Sequence, residues 1–246
     1  MHSLGQTRSA SHRDHLLQTP DTFIRTPLPG LTHGEAIVHI SPALGAAFSM
    51  MTIELAPNGT LTEGPTQRLL YVLEGKLTLT EPTTRKLHKL RPGSYAYLPT
   101  DHPHTLTALT TARIAVIEKP FLPLEFEPNP TPIVAHELDC PATPLNNDPD
   151  LIVRSLLPSS LAIDFAVNTM TYAPGAALSQ VEIHTMEHGL LMLQGGGIYR
   201  LNHLWYPTTA GDAIWMASFC PQWFGALGKI PAKYLIYKDF NRHPLA

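Results

Sequence analysis

The chain is poor in several things a 246-residue protein could have. Only Cys140 and Cys220 are available for disulfides, too few for a secreted disulfide scaffold, so a reducing compartment is expected and both thiols read as small packing groups. Charge is scarce, at 15 % Asp, Glu, Lys and Arg with a net charge of −3. No basic stripe is present, which argues against nucleic acid and anionic membrane as partners. No apolar run reaches the roughly 18 residues of a membrane span. The opening segment "MHSLGQTRSASHRDHLLQTP" has no apolar core of a signal peptide, so a cytoplasmic protein is expected. Long helical periodicity is missing too. Instead 24 prolines and 16 glycines punctuate short alternating apolar runs, the pattern of strands joined by turns.

What is present is a repeat. Four segments recur in the same order about 120 residues later. "MTIELAPNGT" (51–60) resembles "NTMTYAPGAA" (168–177), and "LLYVLEGKLTLT" (69–80) resembles "GLLMLQGGGIYR" (189–200). "RPGSYAYLPT" (91–100) matches "TAGDAIWMAS" (209–218), and "TARIAVIEKPF" (111–121) matches "PAKYLIYKDF" (231–240). A duplicated all-β domain follows, each copy having seven or eight short strands. The expected organisation is an N-terminal arm (1–20) that is polar and loosely ordered, a first domain (21–126), a Pro- and Asn-rich linker (127–150) and a second domain (151–246).

The chemistry is concentrated in "VEIHTMEHGLLMLQGG" (181–196). A helix here would carry three consecutive glycines at about 1 kcal/mol each, so a strand is expected. On a strand Glu182 and His184 share a face, and His188 opens the next strand. Two imidazoles and a carboxylate suit a borderline-to-hard divalent ion such as Mn²⁺ or Fe²⁺, and the absence of Cys from this set argues against structural zinc. The first copy offers nothing comparable: the matching positions are Thr62, Gly64 and Arg68, and Arg68 repels a cation. The histidines outside the 182–188 cluster and position 104 (His2, His12, His15, His33, His39, His88, His102, His136, His203 and His243) show no grouping that demands a site. Trp205, Trp215 and Trp223 read as packing groups.

The order strand, Gly turn, strand, Gly motif resembles the cupin family, and two copies resemble a bicupin, a pair of tandem jelly-roll β-barrels. In that pattern the last metal ligand follows the second Gly motif, which places His104 there in the first copy and Gln222 in the second. The resemblance therefore implies a metal set of Glu182, His184, His188 and Gln222. His104, left alone, reads as a hydrogen-bonded histidine, and the first domain as metal-free.

A closer resemblance is to the (S)-ureidoglycine aminohydrolase family. It is carried by E-x-H-x-x-E-H-G from Glu182, by Gly-x-Tyr-x-Leu (197–201), "GDAIWM", Gln222 and the closing Tyr-x-x-x-Lys-Asp-x-Asn-Arg, and covers most of the chain from about residue 20. It implies a Mn²⁺ enzyme that releases ammonia from (S)-ureidoglycine to give (S)-ureidoglycolate. Glu182 and Lys238 then carry catalysis, and Tyr199, Tyr234, Lys238 and Glu182 contact the substrate. A small ureide is the expected partner, and homo-oligomers are the family habit. Other metal-dependent bicupin enzymes (a dioxygenase or a sugar-acid isomerase) and a non-catalytic bicupin binding protein are the competing readings.

Overall fold

The computed structural model describes residues 6–242. The fold is all-β: every regular element is a strand or a single 3₁₀ turn. Among the described residues no helix is long and apolar enough to cross a membrane. The chain divides into two compact units, Ile24–Asp139 on one hand and the residues up to Phe23 together with those from Cys140 on the other.

The repeat seen in sequence is a repeat of topology. In the unit of residues 24–139, four neighbouring strands run in the order Ser94–Leu98, Gln67–Glu74, Ala112–Lys119, Ser49–Thr62. In the other unit the matched strands run in the same order: Ala213–Met216, His188–Gln194, Ala232–Asp239, Phe165–Tyr172. The opposing strands repeat as well. Lys86–Leu90, Leu77–Glu81 and Thr105–Ala108 are adjacent in one unit, as are Leu204–Thr209, Gly196–Leu201 and Gln222–Ala226 in the other. All pairs are antiparallel. Each hairpin turns at a glycine with positive φ, Gly75 (+86°) and Gly195 (+64°), and a Cβ at Gly75 would stand 2.4 Å from Thr111 O. Only glycine tolerates both the conformation and the approach.

Alternation along the strands builds one apolar core per unit. Ile53, Leu55, Leu70, Val72, Leu77, Leu79, Ile114 and Val116 meet in the first. Tyr172, Leu190, Met192, Tyr199, Phe224, Tyr234 and Ile236 meet in the second. The second core is the more aromatic, with Tyr172, Phe224 and Tyr234 in edge and tilted contacts 4.9–5.7 Å between ring centroids. Such contacts favour fixed geometry over adaptable packing.

Two boundary expectations change. The arm, expected to be loose, is ordered over its described part. His15–Gln18 pairs with Ala213–Met216, placing Leu17 opposite Ile214 with Leu17 fully buried. Arg8 donates two hydrogen bonds to the buried carboxylate of Asp212, at 2.6 and 2.9 Å. Ser9, Thr19 and Thr22 share a hydroxyl network. The arm's polar residues are anchors, which composition alone reports as solvation. Likewise the segment 127–150 is no free linker. Ile133–His136 pairs with Ser94–Leu98, and the buried Glu137 accepts a 2.6 Å hydrogen bond from Tyr71 Oη. Thr143–Leu145 pairs with the strand Asp148–Ser155. The division falls within the segment, between Asp139 and Cys140. Residues 1–5 and 243–246, with His2 and His243, lie outside the described residues.

Candidate active site

A cavity of about 380 Å³ opens into the second unit. Period-2 alternation along Ala232–Asp239 turns Tyr234, Ile236 and Lys238 toward it and leaves Leu235 and Tyr237 on the other face. Asn168 and Met170 face it from the neighbouring strand, and His188 faces it from the strand on the other side, with Lys238 as its register partner. The opposite wall supplies Tyr199 and Gln222. Thus all seven residues singled out in the sequence, Glu182, His184, His188, Tyr199, Gln222, Tyr234 and Lys238, line one cavity.

The segment before His188 differs in detail from the expectation. Residues 183–187 are irregular, and Glu182 makes a single β-bridge with Gln222. That bridge, closed by Glu182 N to Gln222 O at 2.8 Å and Gln222 N to Glu182 O at 3.0 Å, holds the segment against the opposite wall. Phe219 N adds a bond to His184 O at 2.8 Å. A crossing segment needs no continuous strand to bring Glu182 and His184 to the same space.

The imidazoles of His184 and His188 meet with their Nε2 atoms 3.2 Å apart, and Gln222 Nε2 donates to His184 Nε2 at 2.9 Å. His188 Nδ1 donates to Tyr237 O at 3.2 Å, which leaves its Nε2 as a bare lone pair. His184 Nε2, accepting from Gln222, is a lone pair too. Burial, then the neighbouring His184 and Lys238, hold the His188 imidazole well below its ordinary value, so the ring is neutral at neutral pH. Two lone pairs facing one another in a part-buried site lack a positive partner. Two nitrogens on one first-row divalent ion, each bonded at about 2.1 Å, lie roughly 3 Å apart, so this arrangement fits a divalent cation. A half-turn of the Gln222 amide would present its oxygen at the same point. The second ring nitrogen of His188, tied to a backbone carbonyl, orients the donor as outer contacts of metal-bound histidines do. Glu182 borders the same cavity, but its carboxylate is not drawn in with the two rings. Among the described residues the His/Cys/Asp/Glu trio whose ligand atoms all lie within 4.8 Å of one another is Asp14, His15 and Cys220, elsewhere in the same unit.

Lys238 stands on a central strand, not on the exposed edge that lysine usually prefers. Burial lowers its ammonium below the ordinary lysine value, and the Glu182 carboxylate partly offsets this. With the Asn168 amide nitrogen donating to Val167 O at 3.0 Å, the amide oxygen accepts from Lys238 Nζ at 3.2 Å. Tyr172 and Tyr234 hydroxyls lie 2.6 Å apart. Burial raises both phenols, and Tyr199 with them, so they stay protonated hydrogen-bonding groups. Sequence reasoning missed Asn168, whose only signal was an amide in a strand whose other polar residues are Thr169 and Thr171. The end of the closing motif is structural: Asn241 Nδ2 donates to Ser160 O and Ile163 O at 2.7 and 2.9 Å, and Asp239 accepts from Glu187 N at 2.6 Å. Trp215 Nε1 donates to Glu187 at 3.1 Å and Trp223 Nε1 to Leu178 O at 2.6 Å, while Trp205 stacks edge-on against Trp223 and is largely exposed.

The matching place in the other unit is filled. Arg68, buried, pairs with Glu118 at 2.7 Å, donates to Thr62 O at 2.6 Å, and stands 3.4 Å from His104 Nε2. His104 Nδ1 bonds to His102 O at 2.7 Å, so it is the hydrogen-bonded histidine the sequence suggested. The scattered histidines, however, do form groups. Glu81 accepts from His88 at 2.7 Å and lies 3.3 Å from His102, and Asp14 lies 2.8 Å from His15.

An all-β chain with a histidine-lined cavity of this kind defines an enzyme-like member of the cupin-like folds. The crystal structure of protein Ylba from Escherichia coli, of family DUF861, superposes with a TM-score of 0.86 at 26 % identity, over 97 % of this chain and 96 % of that one. Oxalate decarboxylase shares the fold, with a TM-score of 0.71 at 12 % identity over 96 % of this chain and 80 % of that one. No family model matches the chain. In sequence the chain is 42 % identical to the (S)-ureidoglycine aminohydrolase of Arabidopsis thaliana, over 98 % of its own length and 80 % of the relative's. The chain belongs to the (S)-ureidoglycine aminohydrolase family.

Proposed function

We propose that the chain is a bicupin that hydrolyses (S)-ureidoglycine to (S)-ureidoglycolate and ammonia with Mn²⁺ held by Glu182, His184, His188 and Gln222. The observation that carries this is the pair of facing imidazole lone pairs in a cavity that also holds a half-buried lysine and a carboxylate. The reading places the chain in the cytoplasm as a homo-oligomer acting on a small ureide.

A bound divalent cation would supply Lewis acidity, holding the small anionic substrate by its oxygen atoms and fixing which face is open. The protein's own groups then do the rest. Lys238, steadied by Asn168, pairs with the substrate carboxylate across a wall too apolar to solvate it. The paired hydroxyls of Tyr172 and Tyr234 offer a hydrogen bond to the ureido carbonyl. The amine, bound in its ammonium form, departs as ammonia while the C–N bond breaks and the ureido nitrogen feeds electrons into the carbon. The Glu182 carboxylate, beside Lys238, takes a proton from the incoming water as the new C–O bond forms and passes it to the departing ammonia, which restores its starting state. A cavity of about 380 Å³ lies within the range that encloses small ligands, and holding the reactants there makes water attack a directed event.

The test is ammonia release from freshly generated ureidoglycine by the manganese-loaded protein. A rate well above the spontaneous one is expected, with Glu182→Gln reducing it by about 10²–10⁴-fold. Release no faster than background would end the proposal.

A further inference from the structure

A second set of ligating side chains lies in the same unit, and none of its members lines the cavity described above. Asp14 and His15 come from the N-terminal arm. Cys220 comes from the loop between Ala213–Met216 and Gln222–Ala226. One ligand atom from each lies within 4.8 Å of the other two. Donors around a tetrahedral ion with bonds of about 2.0–2.3 Å are spaced roughly 3.3–3.8 Å apart, so closing the site takes movement of about an ångström. His15 and Cys220 are buried, and Asp14 stands half-buried at the mouth.

The surroundings resemble the outer layer of a metal site. His15 Nε2 bonds to Tyr206 Oη at 2.8 Å. With Nε2–H donating to that hydroxyl, Nδ1 is left as the donor atom, on the side where Asp14 Oδ1 lies 2.8 Å away. Asn202 Nδ2 donates to Asp14 Oδ2 at 2.6 Å, so Oδ1, now paired with His15 Nδ1, is the oxygen that would turn to an ion. Ala217 N bonds to Asp14 O at 2.9 Å, fixing the backbone that carries both arm ligands. His12 stacks on His15 with centroids 4.5 Å apart and is exposed. Orientation of ligands by such partners is a general feature of metal sites, and sulfur, nitrogen and oxygen donors together select a borderline ion such as Zn²⁺ over the harder ions.

We propose that Asp14, His15 and Cys220 form a second, structural metal site of the Zn²⁺ class, with water or His12 as the fourth ligand. The ion ties the arm to a loop some 205 residues further along the chain. It thereby locks His15–Gln18 onto the sheet edge at Ala213–Met216. Binding to the folded chain alone stabilises it by mass action.

The probe is Co²⁺ added to the full chain after chelator treatment, using the His184→Ala variant so that the cavity site is disabled. One equivalent should bind with the intense near-ultraviolet band of a cobalt thiolate. Zn²⁺ should displace it, raise the melting temperature by several degrees and protect Cys220 from iodoacetamide in peptide mapping. Cys220→Ser and His15→Ala, each added to His184→Ala, should abolish the band, and Cys140→Ser should not. No thiolate band in His184→Ala, or a band that survives Cys220→Ser, overturns the proposal. Should Cys220→Ser fail to fold, the alkylation map decides, because Zn²⁺ either shields Cys220 or does not. Activity enters none of these readouts, so failure here and failure of the proposed reaction are separable.

Discussion

The two units share strand order and differ at one matched place. In the unit of residues 140–242, the segment crossing the mouth supplies Glu182 and His184, and His188 faces inward opposite Lys238. In the unit of residues 24–139, the matching positions are Thr62, Gly64 and Arg68, and Arg68 is the register partner of Glu118. The positions of His188 and Lys238 are thus taken by an internal ion pair. Gly64 is part of the exchange: a Cβ there would stand 2.5 Å from Arg68 Nη2, so the residue in the place of His184 is the one that lets the guanidinium in. One unit has a fixed cation built from its own chain, and the other has lone pairs that fit a cation from outside. The difference teaches that losing a site in a duplicated fold takes more than deleting ligands, because the buried space must be refilled and its polar atoms satisfied.

The comparison is sharpest in metal binding. His184→Ala should abolish Mn²⁺ binding and reduce ammonia release by 10³-fold or more, whereas His104→Ala should leave the metal content unchanged; elemental analysis of the purified variants reads both. The reverse pattern would place the metal in the other unit. Next in size, Lys238→Met should lower kcat/KM by about 10²–10³-fold with the metal retained. Because burial lowers the lysine's pKa, an activity that needs its ammonium form should fall with rising pH before the ordinary lysine value is reached. An alkaline limb unchanged in Lys238→Met would assign it to another group.

In the first unit, Arg68→Met strands the partly buried Glu118 and should cost about 2–4 kcal/mol in urea unfolding. Arg68→Met with Glu118→Met should recover much of that, and a double variant as unstable as the single one would show that the pair is not what seals the barrel. The smallest effect expected is a pH dependence. Burial lowers His39 and His104 to about 4, below the unfolded value. The neutral rings therefore contribute stability above about pH 6.5 that is lost as the pH falls through about 4, for each on the order of 3 kcal/mol at most. His39, bonded to Thr52 at 2.9 Å, is the cleaner probe: His39→Gln should flatten the acid side of the curve of melting temperature against pH.

Much of this was legible in the residues. Glycines at hairpin turns and alternating strands fixed the repeat, and the spacing of Glu182, His184 and His188 marked the segment that borders the cavity. Other features were not. Arg8, Ser9 and Thr19 are polar in composition, yet they anchor the arm, because a hydrogen bond to a distant partner leaves no local pattern. Asn168 was invisible for the same reason, since its importance lies in facing Lys238 across adjacent strands. The scattered histidines gave no sign of Asp14–His15–Cys220, because Cys220 is far along the chain from the adjacent pair.

By itself the sequence determined what is local: strands from period-2 alternation, turns from glycine, duplication from repeated order, and a ligand-rich segment from spacing. Only the tertiary structure decided which distant groups share a space. Arg68 with Glu118, His184 with Gln222, Lys238 with Asn168, and the arm with the second unit all depend on strand pairing between remote segments. Local conformation follows from neighbouring residues, whereas pairing follows from the burial of whole faces, which no short stretch of chain encodes.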